Sequence, residues 1–259
     1  MSAADKSRCG DARAAAAPAS APTPGADKPA RSASALARNE ELARAEKMRR
    51  EFTANVSHEM KTPLQVISGY AELMANGLVP PEDVPRFAQL IYEESQAMRA
   101  LIDDVLILSR LDEMAPGADE AEAVDLRAVA ERVVGRLTKL AADADVEVHL
   151  KAEPVTVQGN ETLLKQMIYN LVENAIRYNR PGGKVQIITA CTRDGHCTLT
   201  VKDNGIGIPK EAQTSVFERF YRVDKSRSKA TGGTGLGLAI VKHIARIHNC
   251  LLYTSDAAD

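Results

Sequence analysis

A chain of 259 residues is long enough for one large or two smaller domains. A formal net charge of −2, no tryptophan and only 4% aromatics leave neither a basic surface nor a stacking platform for nucleic acid. No apolar run approaches the ~20 residues of a membrane helix, and no convincing secretion signal is present, so the chain is expected to be soluble.

Residues 1–35 are rich in Ala, Pro, Ser and Gly without an apolar period, and read as a disordered tail. The first helix is predicted from about Leu36 to Asn76. Phe52, Val56, Met60, Leu64, Ile67 and Met74 line one face, widened by Val66, Tyr70 and Leu73. His58 lies two residues from Val56 and two from Met60, so it projects away from that face. Thr62 shares the side of His58 one turn later. Pro63 removes a backbone donor and is expected to kink the helix beside the histidine. An imidazole with one unprotonated nitrogen accepts a phosphoryl group, and Glu59 can orient the ring or take its proton. Taken alone, His58 reads equally well as a surface histidine on an amphipathic helix. A zinc-protease His-Glu-x-x-His is excluded, because position 62 is threonine.

Gly77 to Pro81 reads as a turn. A second helix follows from about Glu82 to Asp112. Val84, Phe87, Ile91, Met98, Leu101, Val105 and Leu108 form a coiled-coil seam that Glu94 interrupts. Two such helices cannot bury broad apolar faces as a lone hairpin. Pairing two hairpins gives a four-helix bundle, so residues 36–113 are expected to form a homodimer. Residues 114–123, with Pro116 and Gly117, read as a polar linker that lets the next domain swing.

An α/β domain is predicted over residues 124–259. It starts with a helix from Leu126 to Ala142, then strands Val146 to Lys151 and Val155 to Gln158. The next helix, Leu163 to Tyr178, turns Leu164, Met167, Ile168, Leu171, Val172, Ala175 and Ile176 inward. Asn170 and Asn174 share a face with Glu173 between them, an oxygen set that suits Mg²⁺. Two solvent-facing asparagines explain the same pattern.

Val185 to Cys191 and Cys197 to Val201 read as a hairpin around Asp194-Gly195. Cys191 and Cys197 flank its turn and are expected to stay free thiols in a reducing compartment. His196 adds too few ligands for zinc. Asp203, at the strand end, can accept a hydrogen bond from an adenine amino group, while Gly205 and Gly207 let the backbone approach the ring. Phe217 to Arg222 and the polar run Asp224 to Lys229 read as a mobile lid whose cations meet phosphates. Gly233 to Leu238 opens an apolar helix, Ala239 to Ile247. Backbone amides at such a start form a phosphate cradle. Neither a dinucleotide fingerprint nor a P-loop is supported.

In this order the segments resemble the sensor histidine kinases of two-component systems. Phe52 to Leu64 is similar to the histidine box, Asn170 to Asn179 to the asparagine box and Asp203 to Gly207 to the first glycine box. Phe217 to Tyr221 is similar to the phenylalanine box, and Gly233 to Leu238 to the second glycine box. The resemblance covers residues 40–249 and looks most like the phosphate-sensing subgroup.

It implies a dimerising helical hairpin followed by an α/β-sandwich ATP-binding domain of the histidine kinase/Hsp90-like superfamily, with helices covering one face of a mixed sheet. It implies that His58 is phosphorylated, that Glu59 assists proton removal and that Thr62 positions water during dephosphorylation. It implies ATP and Mg²⁺ as cofactors, with the metal on Asn174 and Asn170. Glu173, Arg177, Tyr178, Asp203, Gly205, Gly207, Phe220, Gly233, Thr234, Gly235, Leu236 and Gly237 complete the nucleotide pocket. The implied partner is the receiver domain of a response regulator, phosphorylated on an aspartate. The implied location is cytoplasmic, with any membrane attachment through a sensor region that is not in this chain.

One departure stands out. The family pattern continues after Ile247-His248 with a glycine and two closing strands, which Asn249 to Asp259 do not match, so a truncated or foreign terminus is expected after about residue 249. A catalytically impaired docking dimer, or a form dominated by phosphatase activity, therefore stays open beside the kinase. So does an ATPase of the same superfamily acting as a conformational clamp, although the His58 motif argues against it.

Overall fold

The computed structural model describes residues 28–114, 121–192, 196–224 and 233–254. Most of the predicted tail, the Asp194-Gly195 turn, most of the linker and the polar run from residue 225 lie outside the described residues.

The chain divides into two units, Met1–Arg50 and Glu51–Asp259. The described part of the first unit is the opening of helix α1 (Lys28–Ala75). That helix starts before Leu36, the predicted boundary. Pro29 falls in its first turn, where a missing N–H has no intrahelical partner to lose. The alanines that read as tail composition are also the strongest helix formers. Arg50 pairs with Glu46 one turn away at 2.5 Å.

In the second unit α1 runs unbroken through Pro63, whose ring is buried. The helix closes with Gly77 N–H on Met74 O at 3.1 Å and Leu78 N–H on Leu73 O at 3.0 Å, the paired bonds of a Schellman ending. Helix α2 (Val84–Glu113) starts with a proline in its first turn. Tyr70 meets Phe87 edge-on with centroids 5.2 Å apart, which ties the two helices near their turn.

Strand β1 (Glu122–Asp125) pairs antiparallel with β3 (Thr156–Gly159). The linker therefore ends earlier than residue 123. Its last residues gain structure from a partner strand more than 30 positions away, which local polarity cannot reveal. Asp125 caps helix α3 (Leu126–Asp143) by accepting the N–H groups of Arg127 and Ala128. Strand β2 (Val146–Ala152) runs parallel to β4 (Gly183–Cys191), and β4 pairs antiparallel with β5 (Cys197–Asp203). Among the described residues β4 is the only strand neighbour of β5. Helix α4 (Glu161–Arg177) lies between β3 and β4, and α5 (Gly237–Ile247) follows the glycine-rich loop.

Alternation on β4 turns Val185 and Ile187 into a core with Val129 and Val133 of α3 and Ile168 and Val172 of α4. The sheet is mixed and its helices share this core, as expected. A second core joins Leu101, Leu108 and Leu111 of α2 to Leu236, Ile240, Ile244 and Ile247 at and within α5.

Cys191 and Cys197 form a disulfide, where free thiols were expected. The register places them directly opposite as the last antiparallel pair, with Cα atoms 4.2 Å apart. The ladder supplies the proximity that a disulfide needs. Among the described residues no helix is long and apolar enough to cross a membrane.

Ile168 is fully buried between α3 and the sheet. Ile168→Ala is expected to cost about 2–5 kcal/mol, read as a lower urea midpoint.

Candidate nucleotide and phosphoacceptor site

His58 is exposed on α1, and Thr62 Oγ1 bonds back to His58 O at 3.4 Å. The ring is thus presented to solvent on an intact helix, and the neighbouring carboxylate is not alone. Glu59 Oε2 accepts from Arg222 Nη2 at 3.2 Å; the Arg222 side chain is only 12% exposed. A cation of the predicted lid therefore reaches the residue beside the histidine.

The asparagine face of α4 is set by its cap: Asn160 Oδ1 accepts Leu163 N–H at 3.0 Å. From the far end of α5, His248 Nε2 accepts Asn160 N–H at 3.1 Å, so both helices fix this start. Asn170 is 95% buried, and both its amide nitrogen and its amide oxygen are engaged. Its Nδ2 donates to Gly237 O at 3.2 Å and its Oδ1 accepts from Gln166 at 3.3 Å. Asn174 differs: among the described residues no hydrogen bond meets its side chain. A Cβ on Gly237 would lie 3.7 Å from Asn174 Nδ2, so this carboxamide faces the start of α5. Glu173 is held by Arg177 at 2.9 Å and by Tyr169 at 3.4 Å. As a donor set for Mg²⁺, Asn174 fits through its unengaged amide oxygen, whereas Asn170 ties α4 to α5. Among the described residues no cluster of three His, Cys, Asp or Glu could hold a metal, so such an ion would draw its remaining ligands from water and phosphate.

The loop after β5 is braced. Asp203 Oδ1 accepts Gly205 N–H at 2.9 Å, and Ile206 N–H donates to Tyr178 O at 3.1 Å. A Cβ on Gly205 would sit 2.4 Å from Tyr178 O, so only glycine lets the loop close on α4. Arg180 donates to Asn204 O at 2.8 Å and Gly205 O at 3.2 Å, and Asn204 Oδ1 accepts Lys184 N–H at 2.7 Å. Gly207 continues the loop at the surface.

In the second glycine-rich loop, the backbone of Gly235 (φ +74) turns where a side chain would be strained and would also press on Phe220. Phe220 N–H donates to Gly235 O at 2.9 Å. Gly233 begins the described part of this loop, and Leu236 is fully buried at the N-cap of α5, whose first turn has no side-chain cap. Backbone amides at that turn can therefore meet an anion.

The lid and loop pack on the hairpin. Phe220 stacks against Phe52 with centroids 5.8 Å apart, and Arg219 covers the same ring at 4.9 Å. Arg219 also pairs with Asp112 at 2.6 Å and donates to His243 Nε2 at 3.1 Å. Burial, then the charge of Arg219, holds His243 below the ordinary imidazole value, so it serves as a neutral acceptor. Thr234 Oγ1 donates to Asp104 Oδ2 at 2.7 Å. Burial pushes the Asp104 carboxyl up to about 6; the Thr234 bond opposes this, while Glu173 and Asp103 add repulsion.

Sequence reasoning marked both ends of the Arg222–Glu59 and Phe220–Phe52 contacts, and only the lid or loop end of the contacts to Asp112 and Asp104. Glu59 and Thr234 were singled out, but Asp104 and Asp112 are ordinary charges on an amphipathic helix. Arg180 carried no signal either, since its partners are backbone carbonyls. Arg219 and Arg222 were legible only as cations within the lid motif.

The family described as "His Kinase A (phospho-acceptor) domain" matches residues 48–113, and "Histidine kinase-, DNA gyrase B-, and HSP90-like ATPase" matches residues 159–257. The chain is 45% identical to the sensor-like histidine kinase SenX3 of Mycolicibacterium smegmatis, over 81% of this chain and 54% of that protein. It is 35% identical to the sensor protein kinase WalK of Staphylococcus haemolyticus, over 82% of this chain and 35% of that protein. Full-length ShkA, solved in complex with AMPPNP, superposes with a TM-score of 0.53 at 27% identity, over 75% of this chain and 40% of that one. The chain thus spans about half the length of the first relative and about a third of the second.

Two outcomes are expected. Gly205→Ala must displace the loop from Tyr178 O, and nucleotide affinity should fall at least about tenfold, read by calorimetric titration. Asp104 binds its proton more tightly in the folded chain, so its contribution to stability is fullest below its ordinary value and is lost as pH rises through about 6. Asp104→Asn should therefore be more stable than the parent at pH 7, by at most about 3 kcal/mol. Thermal unfolding should show that gap closing as pH falls from 6 to 4.

Proposed function

The chain belongs to the sensor histidine kinases of two-component systems, and on that footing we propose that it moves the γ-phosphoryl group of ATP to His58 and then to an aspartate on a response regulator's receiver domain. The observation that carries this reading is the reach of Arg222, from the lid of the nucleotide site, to Glu59 beside the exposed His58.

In the first step a ring nitrogen of His58 forms a bond to the γ-phosphorus. The bond from that phosphorus to the β–γ bridging oxygen breaks, and ADP leaves. Glu59 takes the proton released from the other ring nitrogen. In the pose described Arg222 holds Glu59, so the lid must let go before this carboxylate acts as a base. Asp203 reads the adenine amino group, the braced loop excludes water from the ring, and the first turn of α5 receives the phosphates. Asn174 would hold Mg²⁺, which neutralises phosphate charge when bound. In the second step the receiver carboxylate attacks the phosphorus and the bond to the histidine nitrogen breaks. Glu59 and Thr62, on the same turn as His58, also suit positioning a water for dephosphorylation of the regulator.

A homodimer belongs to the same proposal. Leu64 (50% exposed), Leu73 (39%), Tyr92 (58%) and Leu106 (50%) lie uncovered on α1 and α2. A second hairpin completing a four-helix bundle would cover such faces. The proposed location is the cytoplasm, where nucleotide and regulator meet.

The test is incubation with γ-labelled ATP and Mg²⁺, beside His58→Gln. Acid-labile, alkali-stable label that is absent from the variant is expected. Equal labelling of both proteins would sink the assignment of His58.

A further inference from the structure

Thr234 stands at the mouth of α5, where the nucleotide reading above places the phosphates. Its hydroxyl proton is already committed to Asp104, and its oxygen accepts Leu236 N–H at 3.2 Å. One hydroxyl has one proton to donate, so it cannot serve a carboxylate and a phosphate together. Asp104 comes from α2, not from the nucleotide domain. Apolar packing holds it in place, since Leu101 and Leu108 on either side of it are buried against Leu236, Ile240 and Ile244.

We propose that Asp104 is a carboxylate plug: in the docked pose it holds the Thr234 hydroxyl at the start of the glycine-rich loop, so a triphosphate gains that donor, and a place free of like charge, only when α2 and α5 part. The inference rests on the nucleotide reading of this loop and adds its regulation. A phosphate brought beside Asp104 meets a like charge as well as a lost donor. The carboxylate's own cost of burial, sharpened by Glu173, keeps the plug easy to expel.

Nucleotide entry and release of the base are thereby one event. Arg222 on Glu59 and Arg219 on Asp112 reach the hairpin from the segment that also pins Gly235. Parting the seam at Asp104 frees Glu59 for proton transfer. Nucleotide-free protein therefore keeps Glu59 neutralised, and loading of the site arms it. Apparent affinity for ATP is reduced by the fraction of chains that are plugged.

The test is calorimetric titration of a non-hydrolysable ATP analogue with Mg²⁺ into the whole chain, comparing the parent with Asp104→Ala and Asp104→Ser. Neither replacement can reach the Thr234 hydroxyl as an anion, and two of them guard against one folding poorly. Affinity is expected to rise about 5- to 100-fold in both. A merely structural contact would instead lose affinity on truncation. Unchanged or weaker binding in folded variants, with a parent that binds, overturns the plug and leaves the nucleotide site standing. Absence of binding in the parent and both variants overturns the two together. Binding only in the variants supports the plug outright.

Discussion

The apolar seam between α2 and α5 is the constraint on which the pose of the site depends. Leu101, Leu108 and Leu111 on one helix meet Ile240, Ile244 and Ile247 on the other, with Leu236 closing the loop end. Each fully buried side chain of this size contributes roughly 1.5–3 kcal/mol. The ion pairs that cross the same boundary, Arg219 to Asp112 and Arg222 to Glu59, keep a partly exposed carboxylate and are each worth about 1 kcal/mol or less. Burial therefore holds the domains together, and the charges select which residues meet.

That division of labour explains why a carboxylate can sit, largely buried, against the glycine-rich loop. Left to electrostatics, Asp104 would avoid Glu173 and keep its water. The leucines flanking it on α2 bring it there as a passenger of their own burial. The result is a docked state that is apolar in its cohesion and strained in its charge.

Inside the nucleotide domain the cohesion is of another kind. Asn170 fastens α4 to the first residue of α5, and His248 fastens the last turn of α5 to the start of α4. Helix α5 is thus pinned to α4 at both of its ends, with Asn174 left facing the start of α5. Arg180 and Asn204 brace the loop of Asp203 through backbone carbonyls and amides. The bonds of Asn170 and His248 are part-buried, and such bonds are costly to leave unmade.

Periodicity and spacing in the sequence determined the two long helices, the hairpin of β4 and β5, the helix bearing Asn170 and Asn174, and the glycines that shape both loops. These are local properties: a 3.6-residue period, alternation on a strand, and the freedom of glycine at Gly205 and Gly235. Tertiary structure alone decided the rest. Strand β1 exists because β3 lies beside it, and Cys191 meets Cys197 because the ladder places them opposite. Asn170 spends its amide on Gly237 O because α5 packs there, leaving Asn174 to face the start of α5. Asp104 meets Thr234 across 130 residues of chain. A charge on a helix looks the same in sequence whether it faces water or a phosphate loop, because the difference lies in the burial of its neighbours against a distant element.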